Sequence, residues 1–175
     1  YPTLKQGERL VLNRIPRTRK QLPKRGDIIT FEQPSVTYIG EDKVDLSNPV
    51  AIYDKEPTNV FSKFAYYVLE WGKTSYIKRV IGLPGEHVQI MDGKVYINGK
   101  ELKDDTYGKD KVIDDPGDAV EPITLADDEY FVLGDNRNMS TDSRSSYVGL
   151  IRRKSIIGKA CARIFPLSKM GGIAG

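Results

Sequence analysis

The chain has 175 residues, enough for one domain with its own hydrophobic core. With 27 Lys and Arg against 24 Asp and Glu, its net charge of +3 is too small to argue for a nucleic-acid partner, and a 39% hydrophobic content excludes a mostly disordered chain. Cys161 is the sole cysteine, which excludes an internal disulfide and any cysteine-based zinc site.

Tyr1-Pro2-Thr3-Leu4 carries neither an initiator Met nor an apolar signal core, and reads as the interior of a longer chain. Leu10 to Ile15 alternates as a strand. The basic stretch from Pro16 to Arg25, with Arg17, Arg19, Lys20, Lys24 and Arg25, predicts a solvated loop, with a face toward anionic lipid headgroups as the sharper alternative. Ile28-Ile29-Thr30-Phe31 is a strand ended by Pro34. Residues 32–75 then form an insertion, with a short strand at 50–53. Phe61, Phe64, Ala65, Val68 and Leu69 lie at helical spacing before Gly72, which predicts an amphipathic helix over 58–71. Its stripe fits packing on the sheet first and a membrane surface second.

Tyr76 to Ile81, Val88 to Met91 and Lys94 to Ile97 read as three strands, and the Asp92-Gly93 and Asn98-Gly99 turns are strong hairpin signals. Residues 101–128 are acidic and form a long excursion. Tyr130 to Leu133 and Ile156 to Phe165 supply the last strands, and 168–175 a flexible tail. The whole predicts a single, mainly β domain over 1–175: an antiparallel β-barrel or folded sheet with one short amphipathic helix. No apolar run reaches the roughly 18 to 20 residues that cross a bilayer.

Elimination narrows the chemistry. His87 is the sole histidine, so a two-histidine zinc site is excluded; at the mouth of a hairpin it reads as an exposed turn residue. No glycine-rich phosphate loop is present. Cys161 has no histidine placed to activate it and reads as a small buried hydrophobe. Lys78 remains, inside an apolar strand. An ordinary lysine is neutral in only about one molecule in 2,500 at pH 7, but burial destabilises the ammonium and produces an amine able to deprotonate a serine. Strand context alone favours the plainer reading, a lysine on the solvent face.

Four separated segments change that context. Tyr76-Ile77-Lys78-Arg79-Val80-Ile81-Gly82-Leu83-Pro84-Gly85-Glu86 resembles the lysine box of bacterial type I signal peptidases, the serine-lysine peptidase family. Gly134-Asp135-Asn136-Arg137-Asn138-Met139-Ser140-Thr141-Asp142-Ser143-Arg144 resembles its G-D-N-R-x-x-S-x-D-S-R box, and Arg25-Gly26-Asp27-Ile28-Ile29-Thr30-Phe31 its R-G-D strand. Tyr1-Pro2-Thr3-Leu4 is similar to the end of the serine box, with the nucleophilic serine two places before Tyr1 and so outside these residues.

The resemblance implies an endopeptidase that removes signal peptides from exported preproteins, on the extracytoplasmic face of a membrane and anchored by an upstream segment. Lys78 is then the general base and Ser140 the hydroxyl that orients it. Leu4, Tyr76 and Ile77 would bind the substrate; Asp135, Asn136 and Arg137 would support the site, and Asp142 with Arg144 would form an ion pair beneath it. No cofactor and no metal are implied; the partners are signal peptides and the lipid surface, with no nucleic acid. The chain without its serine is expected to be inactive. Two alternatives stand beside this: a catalytically silent peptide-binding β domain, and a self-cleaving serine-lysine peptidase of the repressor type.

Overall fold

A computed structural model of the chain describes residues 9–13, 22–34, 75–103, 105, 107–108, 112–166, 168 and 171–172. The predicted strand at 50–53, the helix at 58–71, Leu4, Arg17, Arg19 and Lys20 lie outside the described residues. The strands are β1 (Arg9–Asn13), β2 (Ile28–Glu32), β3 (Ser75–Gly82), β4 (His87–Met91), β5 (Lys94–Ile97), β6 (Lys100–Glu101), β7 (Ile123–Thr124), β8 (Glu129–Leu133), β9 (Ile151–Arg152), β10 (Ile156–Phe165) and β11 (Gly171–Gly172).

Among the described residues they build two antiparallel sheets. The larger runs β1-β10-β2-β3-β8-β9, with β11 on β10, and the smaller runs β6-β5-β4-β7. The larger path is open, so the expectation of an antiparallel folded sheet holds, and among the described residues the sheet does not close into a barrel. β6, β7, β9 and β11 have two residues each, too few for sequence alternation to show. β7, inside the predicted excursion, returns that segment to the sheet beside β4. β11 pairs Gly171 and Gly172 of the predicted tail with Arg163 and Ala162.

The turns explain the small sheet. Asp92 and Gly93 have φ of 50° and 73°, and Asn98 and Gly99 have 51° and 75°. Two successive left-handed residues make the turn whose twist matches a two-residue hairpin, and Asp-Gly and Asn-Gly adopt it at low cost.

β3 and β8 tie the sheets together. Ile81, Phe131 and Leu133 face one core with Val88, Ile90 and Val95, whereas Val80, Tyr130 and Val132 face another with Ile29, Phe31 and Ile156. Both faces of β8 are therefore buried, which is why Tyr130 to Leu133 reads as an unbroken apolar run. At Gly82 the chain leaves the large sheet through a bulge; a Cβ there would lie 2.5 Å from Val88 Cγ2 and 2.9 Å from Phe131 Cβ.

Two expectations are corrected. Arg25 is not in a free solvated loop: Nη2 pairs with Glu86 Oε1 at 2.6 Å and Nη1 donates to the Ile81 carbonyl. Cys161 is half-buried rather than enclosed, with Sγ 3.3 Å from the Val11 carbonyl oxygen, because β10 has passed from the core beside β2 to the outer pairing with β1. His87 is exposed as expected, its Nδ1 2.8 Å from Thr124 Oγ1. Among the described residues no helix is long and apolar enough to cross a membrane, and no group of three or more His, Cys, Asp or Glu could hold a metal ion.

Candidate active site

Lys78 lies midway along β3, where the strand changes character. Residues 75–78 are exposed or half-buried and 79–82 are buried. β2 pairs with β3 from Ser75 to Arg79, but β8 pairs only from Arg79 to Gly82. Among the described residues the edge of β3 at 75–78 that faces away from β2 is thus unpaired, and Lys78 stands at its inner end.

The Lys78 amine donates to Ser140 Oγ at 2.9 Å and lies 5.6 Å from the centroid of the Tyr76 ring. Burial holds its pKa below the ordinary 10.5; the Asp142 carboxylate raises it and the Arg144 guanidinium lowers it, in decreasing order of weight. Desolvation dominates because an ammonium loses water there without gaining, among the described residues, a carboxylate partner of its own.

Ser140 arrives on the irregular segment 134–144 that follows β8. Gly134 is the floor of this loop: a Cβ there would sit 2.1 Å from Ser140 Oγ and 2.4 Å from Ser140 Cβ, so no larger residue fits beneath the hydroxyl. The 3₁₀ turn Arg137–Met139 lifts the chain, and Ser140 then returns to extended backbone with φ −115° and ψ 130°. Asp142 closes the loop through Oδ2, which accepts from Gly134 N at 3.0 Å, and Oδ1, which accepts from Arg144 Nε at 2.8 Å. Arg144 also donates to the Ser140 carbonyl at 3.2 Å and to the Arg137 carbonyl. The Asp142 and Arg144 side chains are 0% and 8% exposed, so this is a buried pair, not a surface one. It lets Asp142 organise the backbone under the amine while Arg144 offsets its charge.

Of the other predicted site residues, Asp135 binds Arg79 through both oxygens, at 2.7 and 2.8 Å. Arg137 is buried and donates from Nε to the Gly134 carbonyl at 3.0 Å. Asn136 contributes its carbonyl to the turn, accepting from Met139 N at 3.2 Å. Tyr76 packs edge-on against Phe31 at 6.1 Å, and Ile77 is 42% exposed on the other face of the strand. The structure thus brings together Lys78, Ser140, Asp142 and Arg144, with Asp135 and Arg137 beneath the same loop.

Sequence reasoning passed over Arg79, Ser143 and Asp105. Arg79 is 1% exposed and also donates to the Gly26 carbonyl at 2.6 Å; the signal was a charged residue between Lys78 and an apolar run, which can be buried only with a partner. Ser143 accepts from Val132 N at 3.0 Å and donates to the Gly149 carbonyl at 2.7 Å, pinning the loop to β8. Asp105 pairs with Arg137 at 2.5 and 2.6 Å, across 32 residues of sequence, and no local pattern marks it.

The family model for signal peptidase, peptidase S26, matches residues 1–165. The chain belongs to that family. A probable signal peptidase I-2 of Synechocystis sp. is 32% identical over 97% of the chain and 61% of its own length. Signal peptidase I of Leptolyngbya laminosa is 33% identical over 97% and 66%, and signal peptidase I T of Bacillus subtilis 33% over 97% and 71%. A crystal structure of a signal peptidase I from Enterococcus faecalis V583 aligns with a TM-score of 0.43 at 27% identity, over 79% of this chain and 96% of that one. The chain therefore spans about three fifths to two thirds of the length of the Synechocystis and Leptolyngbya relatives.

Proposed function

We propose that this chain carries the catalytic face of an endopeptidase that removes signal peptides from exported preproteins by serine-lysine catalysis. The observation that carries the reading is the desolvated Lys78 amine, 2.9 Å from Ser140 Oγ, beside the unpaired edge of β3. An extended peptide adds to such an edge by backbone hydrogen bonds, with Tyr76 and Ile77 flanking it and Leu4 adding apolar surface. Lys78 is the general base. The nucleophile is a serine two positions before Tyr1, the place where the serine box would put it.

In this mechanism a neutral amine has two N–H donors and one lone pair. Donation of one N–H to Ser140 Oγ fixes the rotation of the amine, so that its lone pair faces the nucleophile. The serine Oγ gives its proton to Lys78 and bonds to the scissile carbonyl carbon. The tetrahedral intermediate collapses as the Lys78 ammonium protonates the departing amine, leaving an ester. Lys78, neutral again, takes a proton from water; the hydroxide cleaves the ester and the serine regains its proton. We place the reaction at the extracytoplasmic face of a membrane, with signal peptides and the lipid surface as partners and with no metal or nucleic acid.

The test is cleavage of a signal-peptide substrate by the chain extended upstream through the serine box with its natural sequence, with and without Lys78→Ala. Lys78→Ala is expected to abolish cleavage, and Ser140→Ala to reduce it by about 10²–10⁴, the usual weight of positioned acid-base chemistry. Near-parental cleavage by Lys78→Ala removes the lysine from the mechanism. A residue other than serine two places before Tyr1, with binding of the peptide but no cleavage, makes the chain a peptide-binding relative.

A further inference from the structure

The described residues of the stretch 101–120, namely 101–103, 105, 107–108 and 112–120, bond both to the small sheet and to the 134–144 loop. Two of its backbone groups are fixed to the hairpin: Leu102 N donates to the Val95 carbonyl at 2.8 Å and Ile113 N to the Gly93 carbonyl at 2.9 Å. Residues between and beside these two hold the loop that bears Ser140. The Asp105 carboxylate takes both Nη atoms of Arg137. The Tyr107 ring lies 3.9 Å from the guanidinium carbon of Arg79, capping the Arg79–Asp135 pair. Asn138 reads the backbone of the segment as a peptide group would, donating to the Val112 carbonyl at 3.2 Å and accepting from Asp114 N at 3.1 Å.

The chemistry of Arg137 makes these contacts directional. Its side chain is 2% exposed, directly under the turn that precedes Ser140, and Nε holds the carbonyl of Gly134, the residue on which Ser140 Oγ rests. A guanidinium so placed stays only while a carboxylate compensates it, and Asp105 is the carboxylate it meets, through a two-point fork that fixes both distance and angle. We infer that the described residues of the stretch between β6 and β7 act as a strap that positions the site, with Asp105 as the positioning residue that, through Arg137, holds Ser140 against Lys78. The inference builds on the proposed roles of Lys78 and Ser140. It gives a catalytic consequence to contacts made with Arg137, Arg79 and Asn138 rather than with the amine itself.

The expected effect is read at the amine. Without Asp105 the Arg137 side chain moves toward solvent, the turn shifts with it, and water reaches Lys78. Its main source of perturbation, desolvation, is then relieved, while Asp142 and Arg144 still face it from the loop and Tyr76 from its own strand. In the 175-residue chain, Lys78 is titrated by the pH dependence of its labelling with an amine-reactive reagent, a measurement that needs no cleavage. Asp105→Asn is expected to raise the midpoint by about one pH unit, a tenfold gain in proton affinity, and Asn138→Ala to raise it by less. Tyr107→Phe, which keeps the ring over Arg79, should leave it unchanged.

A global loss of stability would not move the titration of the folded fraction. If Asp105→Asn fails to fold, Asn138→Ala decides; in whichever of these two variants folds, an unmoved Lys78 midpoint overturns the strap. The outcomes separate this inference from the peptidase reading. If the upstream-extended chain cleaves normally and Asp105→Asn changes neither midpoint nor turnover, the strap falls and the peptidase stands. If Lys78 shifts in Asp105→Asn but the extended chain cleaves nothing, positioning stands and the peptidase falls.

Discussion

The β4–β5 hairpin and the 134–144 loop hold their shapes by opposite means. In the hairpin, Asp92 and Gly93 set the turn with left-handed backbone, Val88, Ile90, Val95 and Ile97 anchor the sheet, and the ion pair at its edge, Lys94–Glu101, stands in solvent at 51% and 36% exposure. The loop has few apolar anchors. Its interior is filled by the guanidinium groups of Arg137 and Arg144, compensated by Asp105 and Asp142. A hairpin built on local geometry and apolar burial tolerates the loss of an ion pair. A loop whose core is ionic does not, since a charge left alone in a dry place has no water to return to.

The largest difference between the regions is therefore expected from Asp142→Ala. It strips Arg144 of its carboxylate and Gly134 N of its acceptor, and should lower the unfolding free energy by about 3–5 kcal/mol, the usual result of breaking a buried pair from one side. Lys94→Ala should leave the urea midpoint where it was. An Asp142→Ala chain as stable as its parent would erase the comparison.

Glycine substitutions sharpen it. Gly99 has φ 75° and open space around its missing Cβ, so Gly99→Ala meets only backbone strain, about 1–2 kcal/mol, and should leave Lys78 untouched. Gly134→Ala meets Ser140 instead. It should destabilise by about 1–3 kcal/mol through overpacking, and it should also raise the Lys78 titration midpoint, because the hydroxyl must move. Parallel denaturant melts and Lys78 labelling of the two variants would show whether stability and site geometry separate in one region and stay joined in the other.

The two regions also differ in how far they could be read in advance. The hairpins and the strands at 28–31, 76–81 and 130–133 are all present, because alternation and Asp-Gly or Asn-Gly turns act over a few residues. Resemblance singled out Lys78, Ser140, Asp142 and Arg144, and the structure gathers them; alternation alone would have left Lys78 in solvent. What stayed hidden is long-range ionic pairing. Arg79 reaches Asp135 across 56 residues and Arg137 reaches Asp105 across 32, and nothing in either stretch says which carboxylate will be the partner. The bilateral burial of β8 was visible as an apolar run, but not as the reason that two cores share one strand.

The smallest expected effect is the most specific to the site. A lysine held below its ordinary pKa of 10.5 by burial is a liability for folding at neutral pH. In the unfolded chain it keeps its proton up to that value, whereas the folded state gives the proton up earlier. Between the two midpoints unfolding takes up a proton, so stability rises with pH across that window; below it the folded state bears the full penalty. Lys78→Met keeps most of the apolar stem and removes the amine. It should therefore melt slightly above the parent near pH 7, and the gain should fade as the pH approaches 10.5. Replacement of exposed Lys94 should show no such fading advantage, since burial contributes little to its titration and its partner Glu101 shifts it the other way, upward. A Lys78→Met chain less stable than the parent near neutral pH would mean that the bond to Ser140 outweighs the desolvation of the amine. The loop would then owe part of its stability to the site it is proposed to serve.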